Sequence, residues 1–174
     1  MLSGDKYAQL SVDTKGVRFE SLHFLHGVTI REGCSVTMEK CVFDGIGHWL
    51  YCNGKVQAAR CTFEGNGTHG VIVNSEDGSA GLVDCVMRNN SENGLQVGQG
   101  TALLRGGSIL GNKHNGVHAW YGGRVTVAEA EEDGLPQTVS EGNERQDWNS
   151  IGPFASPSRI IGIPEEKTGH DRGY

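Results

Sequence analysis

The stretch Val36-Thr37-Met38-Glu39-Lys40-Cys41-Val42-Phe43 returns as Val56-Gln57-Ala58-Ala59-Arg60-Cys61-Thr62-Phe63 and again as Ala80-Gly81-Leu82-Val83-Asp84-Cys85-Val86-Met87. Outward from these, Val17/Phe19/Leu22/Phe24 precede, Ala102/Leu104/Gly107/Ile109 follow, and Val125/Val127 open a partial last copy. The copies start at 17, 36, 56, 80, 102 and 125, in steps of 19, 20, 24, 22 and 23. A period in this range marks a repeat architecture, in which each unit is stable only against its neighbours. Within each copy apolar residues alternate with polar ones, which is the periodicity of a strand.

A second short strand precedes most copies and begins just after a glycine: Gly27-Val28, Gly70-Val71, Gly94-Leu95 and Gly116-Val117, with Gly47-His48-Trp49-Leu50 in the equivalent place. Turn clusters such as Asn53-Gly54, Glu76-Asp77-Gly78 and Gly98-Gln99-Gly100 separate it from the strand that follows. A further corner is equally regular, with Asn66, Asn90 and Asn112 each four residues before a glycine. Stacked asparagines there can bond along the stack and satisfy turn backbone groups.

Hairpins would return each strand antiparallel and would not need one position to recur about every twentieth residue. Coils stacked in parallel do need it, with strands about 4.8 Å apart and like residues piled on like. Cys41, Cys61 and Cys85 then form one pile, flanked by Phe24, Phe43, Phe63, Met87 and Ile109. The fold class expected is therefore all-β: a parallel β-helix (solenoid) of about five to six coils with an irregular C-terminal tail, right-handed by the resemblance described next. The corners Asn90-Ser91-Glu92-Asn93-Gly94-Leu95 and Asn112-Lys113-His114-Asn115-Gly116-Val117 give the chain a resemblance to the pectin-lyase-like superfamily over roughly residues 10 to 130. That resemblance implies the architecture. It leaves the activity open, since the superfamily includes lyases, hydrolases, epimerases, adhesins and binding domains.

Composition narrows the classes. Glycine accounts for 27 of 174 residues, against roughly 7% on average, as suits a chain of many tight turns. A net charge of −6 argues against a nucleic-acid footprint, and no apolar run is long enough to span a membrane. The N-terminus lacks the apolar core of a signal peptide, and five cysteines, three of them at one repeat position, read as buried free thiols. An intracellular location is the expectation. No CxxC, HxH or HExxH spacing is present, so neither a metal nor a cofactor is expected.

Residues 1–130 read as the coils, and 131–174, with all four prolines, as a C-terminal capping segment and partly disordered tail. Capping is expected near Trp148 and disorder after about Pro164.

Three arrangements carry chemistry. Outward residues after the corner glycines form a stripe with Trp49 and Tyr51 at one place and His118, Trp120 and Tyr121 three coils away, about 14 Å off at strand spacing. Exposed aromatics beside polar groups stack on sugar rings or anchor a partner protein. The next face offers Lys40, Arg60, Asp84 and Arg105. A polysaccharide lyase would want an Arg or Lys base beside several carboxylates holding calcium, and here only one carboxylate is at hand. Asp44 and Glu64 align one residue past Phe43 and Phe63, where stacking brings them near 5 Å, the separation of a retaining glycosidase pair. Two exposed corner acids would look the same.

The preferred reading is a non-catalytic binding or scaffold domain that presents a flat sheet face to a protein or glycan partner. The alternatives are a carbohydrate-active enzyme (polysaccharide lyase, hydrolase or epimerase-like), with Asp44, Glu64, Arg60 and Asp84 as catalytic candidates, and a structural unit self-associating end to end.

Overall fold

The structure, a computed structural model, describes residues 10–45, 49–129, 137–150, 159–163 and 167–169. Among these the regular elements are strands, and their pairings are parallel. The first coil carries β1 (Leu10–Val12), β2 (Val17–Glu20) and β3 (His23–Phe24). The second carries β4 (Val28–Ile30), β5 (Ser35–Glu39) and β6 (Val42–Asp44), and the third β7 (Leu50–Cys52), β8 (Lys55–Ala59) and β9 (Thr62–Glu64). In the fourth and fifth, β10 (Val71–Val83) and β12 (Leu95–Arg105) run unbroken round the first corner, followed by β11 (Val86–Arg88) and β13 (Ser108–Leu110). The sixth has β14 (Val117–Ala119), β15 (Arg124–Val127) and β16 (Val139–Glu141). Last come β17 (Trp148–Ser150), β18 (Arg159–Ile161) and β19 (Thr168–Gly169).

Each strand pairs with its counterparts in the coils before and after, so the stack has three faces. The first runs β1-β4-β7-β10-β12-β14-β17-β19, the second β2-β5-β8-β10-β12-β15-β18, and the third β3-β6-β9-β11-β13-β16. Six strands on the third face make five coil-to-coil steps, which agrees with the expected number of coils.

Alternation sets what faces inward. Val28/Ile30, Leu50/Cys52, Val71/Val73, Leu95/Val97 and Val117/Ala119 line the first face from inside, each essentially inaccessible. Phe24, Phe43 and Phe63 stack with centroids 4.6 and 4.8 Å apart, which is the strand spacing itself. The cysteine pile is present, and Cys41 N donates to Cys61 Sγ at 3.4 Å. It stops where Gly107 takes the next place, because a Cβ there would lie 2.1 Å from the Cys85 carbonyl oxygen.

The two other corners follow rules of their own. Between the second and third faces a single left-handed residue makes the bend: Ser21, Lys40, Arg60 and Asp84 have φ of 53, 51, 51 and 50°. Between the third and first faces stands the asparagine ladder. The backbone N and Nδ2 of Asn66 donate to Asn90 Oδ1 at 3.1 and 2.8 Å, and Asn90 repeats both bonds to Asn112. Asn112 continues to Asn143, and the Asp147 carboxylate accepts from Asn143 Nδ2 at 2.7 Å.

Parallel pairing continues past residue 130, where the break in the period and the prolines put the end of the coils. β16 pairs β13, β17 pairs β14 and β18 pairs β15. A longer connection after β15 hides the period by eye while leaving the register intact. Trp148, 4% exposed, takes the inward place of Val117 on the last coil and covers the core. Residues 130–136, 151–158, 164–166 and 170–174, and with them much of the expected tail and its disorder, lie outside the described residues, as does His48.

Candidate functional site

On the outer side of the first face, Thr29, Tyr51, Ile72, Gln96 and His118 stand in one register row. The expected stripe is therefore in place, with Tyr51 and His118 three coil steps apart. Leu50 and Cys52 point into the core on either side of Tyr51, so the outward register holds. Tyr51 and Trp49 are half-buried, and the Tyr51 hydroxyl accepts from Asn74 Nδ2 at 2.9 Å.

The other end of the stripe is the denser. The His118 and Trp120 rings lie 6.2 Å apart and nearly parallel, and Tyr121 meets Trp120 edge-on at 4.6 Å. The Trp120 indole lies over Gly98, where a Cβ would come within 2.8 Å of Nε1. Glycine at 98 is thus what lets the indole lie down on the sheet. Tyr121 is 60% exposed and has φ of 49°. A bulky residue in the left-handed region costs free energy, so the surrounding turn must hold it there.

Beside Tyr121 runs a trough that the sequence reading did not single out. Of the first six coils the fourth has the longest first corner, six residues from Asn74 to Ser79 between inward Val73 and Ala80, and it carries exposed Glu76 and Asp77. A cleft of about 710 Å³ on one side of this loop is lined by Lys15, Ser35 and Lys55, and one of about 290 Å³ on the other by Gln99, Tyr121 and Arg124. Glu76 and Thr101 line both, so the two clefts adjoin along one trough. The walls come from coils one to six and become neighbours only on stacking. The one local signal was the length of the Asn74–Ser79 corner.

Asp44 and Glu64 are register partners on β6 and β9, as expected. Each is engaged away from the other, however. Asp44 Oδ1 lies 2.9 Å from His23 Nε2, and Glu64 Oε2 lies 2.7 Å from the Arg88 guanidinium. Arg60 pairs with Glu39, and Lys40, Arg60 and Asp84 occupy the left-handed bend. The three thus share one backbone position of the repeat.

A second amide ladder, also missed, lies beside the first. Asn115 N and Nδ2 both donate to Asn93 Oδ1 at 2.9 Å, and Asn93 N donates to His69 Nδ1 at 3.2 Å. The repeated Asn-x-x-Asn-Gly spelling was its signal. His69 was hidden because a ring nitrogen stands in for an amide oxygen. With Nδ1 accepting, the ring proton sits on Nε2 and is donated to Glu92 Oε2, 2.9 Å away. Burial lowers the His69 pKa to about 4, against the opposing pull of Glu92 and with small contributions from His118 and His114. Both ring nitrogens are occupied, so His69 holds a corner and offers no free nitrogen to a substrate.

The five cysteines are free and buried. Burial pushes Cys52 up to about 12, and the hydrogen bond that the Cys85 thiol donates to Cys61, together with burial, pushes Cys85 up. At 1–2% exposure Cys41, Cys61 and Cys85 are packing groups out of reach of reagents. Among the described residues no cluster of His, Cys, Asp or Glu is placed to hold a metal, and no helix is long and apolar enough to cross a membrane.

Three parallel faces with one row of like residues per position define a β-solenoid protein. A family model described as a right-handed β-helix region matches residues 45–131, half of the chain, and the chain belongs to that family. Searches of curated proteins and of solved structures each returned no match.

Proposed function

We propose that this β-helix is a non-catalytic binding domain whose contact surface is the outer first face where it turns at Trp120 and Tyr121. The observation that supports it is Tyr121: a tyrosine 60% exposed, propped against Trp120, in a backbone conformation that favours glycine. Packing gains little from such a residue, whereas an exposed rigid aromatic beside charged groups is what anchors a partner. The flanking corner places Arg124 in the same cleft, and Tyr and Arg are the side-chain types most often found at binding hot spots. Five buried free thiols suit a reducing compartment.

Arrays of oligosaccharides and of folded proteins, probed with the full chain and with Tyr121→Ala and Trp120→Ala, test this reading. Ligands held by the natural chain are expected to weaken at least about tenfold in both variants. Unchanged retention in both would remove this surface. Turnover of an acidic polysaccharide that disappears in Asp84→Asn or Arg60→Ala would overturn the non-catalytic reading.

The exposed apolar residues of the first coil, Leu10, Leu22 and Leu25 at 43, 44 and 59%, favour a second reading in which copies stack end to end. Sedimentation that finds only monomer at high concentration would exclude it.

A further inference from the structure

Resting on the binding-domain reading above, we propose that the trough beside Tyr121 seats an extended peptide segment of a partner protein. The segment carries two acidic residues four positions apart with a basic residue midway. The first residues of the second-face strands form one wall, in the register row Ser35, Lys55, Ser79, Thr101, Arg124. The charged members are Lys55 and Arg124, with hydroxyls between them. Lys15 joins Lys55 in the larger cleft, while Glu76 and Asp77, on the corner that leads into Ser79, line it between these two cationic ends, Glu76 bordering the smaller cleft as well. The charge order along the trough is therefore positive, negative, positive.

Lys55 and Arg124 are three coil steps apart, about 14 Å at strand spacing, and an extended peptide covers about 14 Å in four residues. Residues i, i+2 and i+4 of such a segment point to one side. An acidic residue at i then meets Lys55 and Lys15, a basic one at i+2 meets Glu76 and Asp77, and an acidic one at i+4 meets Arg124. A helix advances only about 6 Å over the same four residues and cannot span the two cations. A uniform polyanion runs into Glu76 and Asp77, and a uniform polycation into the lysines and Arg124. The match of signs gives selectivity more than affinity, so binding is modest and falls with salt.

The test compares two blocked synthetic heptapeptides, GESKSEG and its charge-reversed counterpart GKSESKG, by titration calorimetry against the full chain. The natural chain should bind the first at least about tenfold more tightly, and the difference should shrink between low and high salt. The double variant Lys55→Glu/Arg124→Glu should reverse the preference, and because both side chains are exposed its thermal unfolding serves as a check that the fold is retained. Equal binding of the two peptides, binding of neither, or a preference unaltered in the double variant would overturn the proposal. Binding of a neutral hexasaccharide that the double variant abolishes would also overturn it, in favour of a glycan in the same trough. None of these outcomes touches the binding-domain reading, which fails if Tyr121→Ala and Trp120→Ala leave every ligand in place or if the turnover described above is found.

Discussion

Lys40 has a φ of 51°, the same bend that Ser21, Arg60 and Asp84 make in the neighbouring coils. A left-handed conformation costs a non-glycine residue about 1–2 kcal/mol, and glycine returns about 0.5–1 kcal/mol of that through its larger unfolded-state entropy. Lys40→Gly is therefore expected to stabilise the protein by up to about 1 kcal/mol, read as a higher denaturant midpoint at unchanged slope. Arg60→Gly should gain less because it also removes the Glu39 pair. A lower midpoint for Lys40→Gly would show that the bend is unstrained there. The same residues show why chemistry was hard to read from sequence: a Lys, an Arg and an Asp recurring at one repeat position look like a catalytic row. What they share is a backbone bend in which each donates its amide to the coil above, as Lys40 N does to Ala59 O at 3.0 Å.

The corner between the third and first faces shows what one element of the repeat can reveal and conceal. Asn66, Asn90 and Asn112 were legible because one residue type recurred at one place before a glycine. Asn93 and Asn115 were spelled as plainly, but His69 at the foot of their ladder broke the pattern in letters while keeping its hydrogen-bond role. That substitution has a pH signature. The His69 pKa is about 4 in the folded chain against an ordinary 6.5, so between those values the unfolded chain binds a proton that the folded one refuses. Stability contributed by neutral His69 is whole above pH 6.5 and is lost progressively as pH falls towards 4, by an amount on the order of 3 kcal/mol. Glu92, His114 and His118 stand around the same ring, and their charges act on it. His69→Asn keeps an acceptor for Asn93 and removes the titrating group. Urea unfolding at pH 7.5 and 4.5 should show a smaller drop in the variant than in the natural chain. Equal drops would place the acid sensitivity elsewhere.

At the scale of the whole molecule, the inside of the stack was readable and the outside was not, for one physical reason. Each inward position must match the coil above and below, as Phe43 matches Phe63, so the core writes a period into the chain. The trough obeys no such rule: Lys15, Lys55, Glu76 and Arg124 come from four coils, and their neighbourhood exists only after stacking. Pairing between nearest coils also makes the stability of the molecule a sum of local interfaces. The first coil, with Leu22 and Leu25 exposed and Phe24 only partly covered, should peel away without disturbing the rest. Phe63, fully buried in the third coil, touches nothing that breaks in that event. Native-state hydrogen exchange separates the two processes. The Leu10 amide, bonded to Gly27 O at 3.0 Å, should exchange by local peeling, and the Val86 amide, bonded to Cys61 O at 2.9 Å, only by opening of the central stack. Phe63→Ala, at about 3–5 kcal/mol, should speed exchange at Val86 by at least about a hundredfold and leave Leu10 unchanged. A parallel acceleration at Leu10 would mean that the coils open as a single unit, and the nearest-neighbour account of this solenoid would fall.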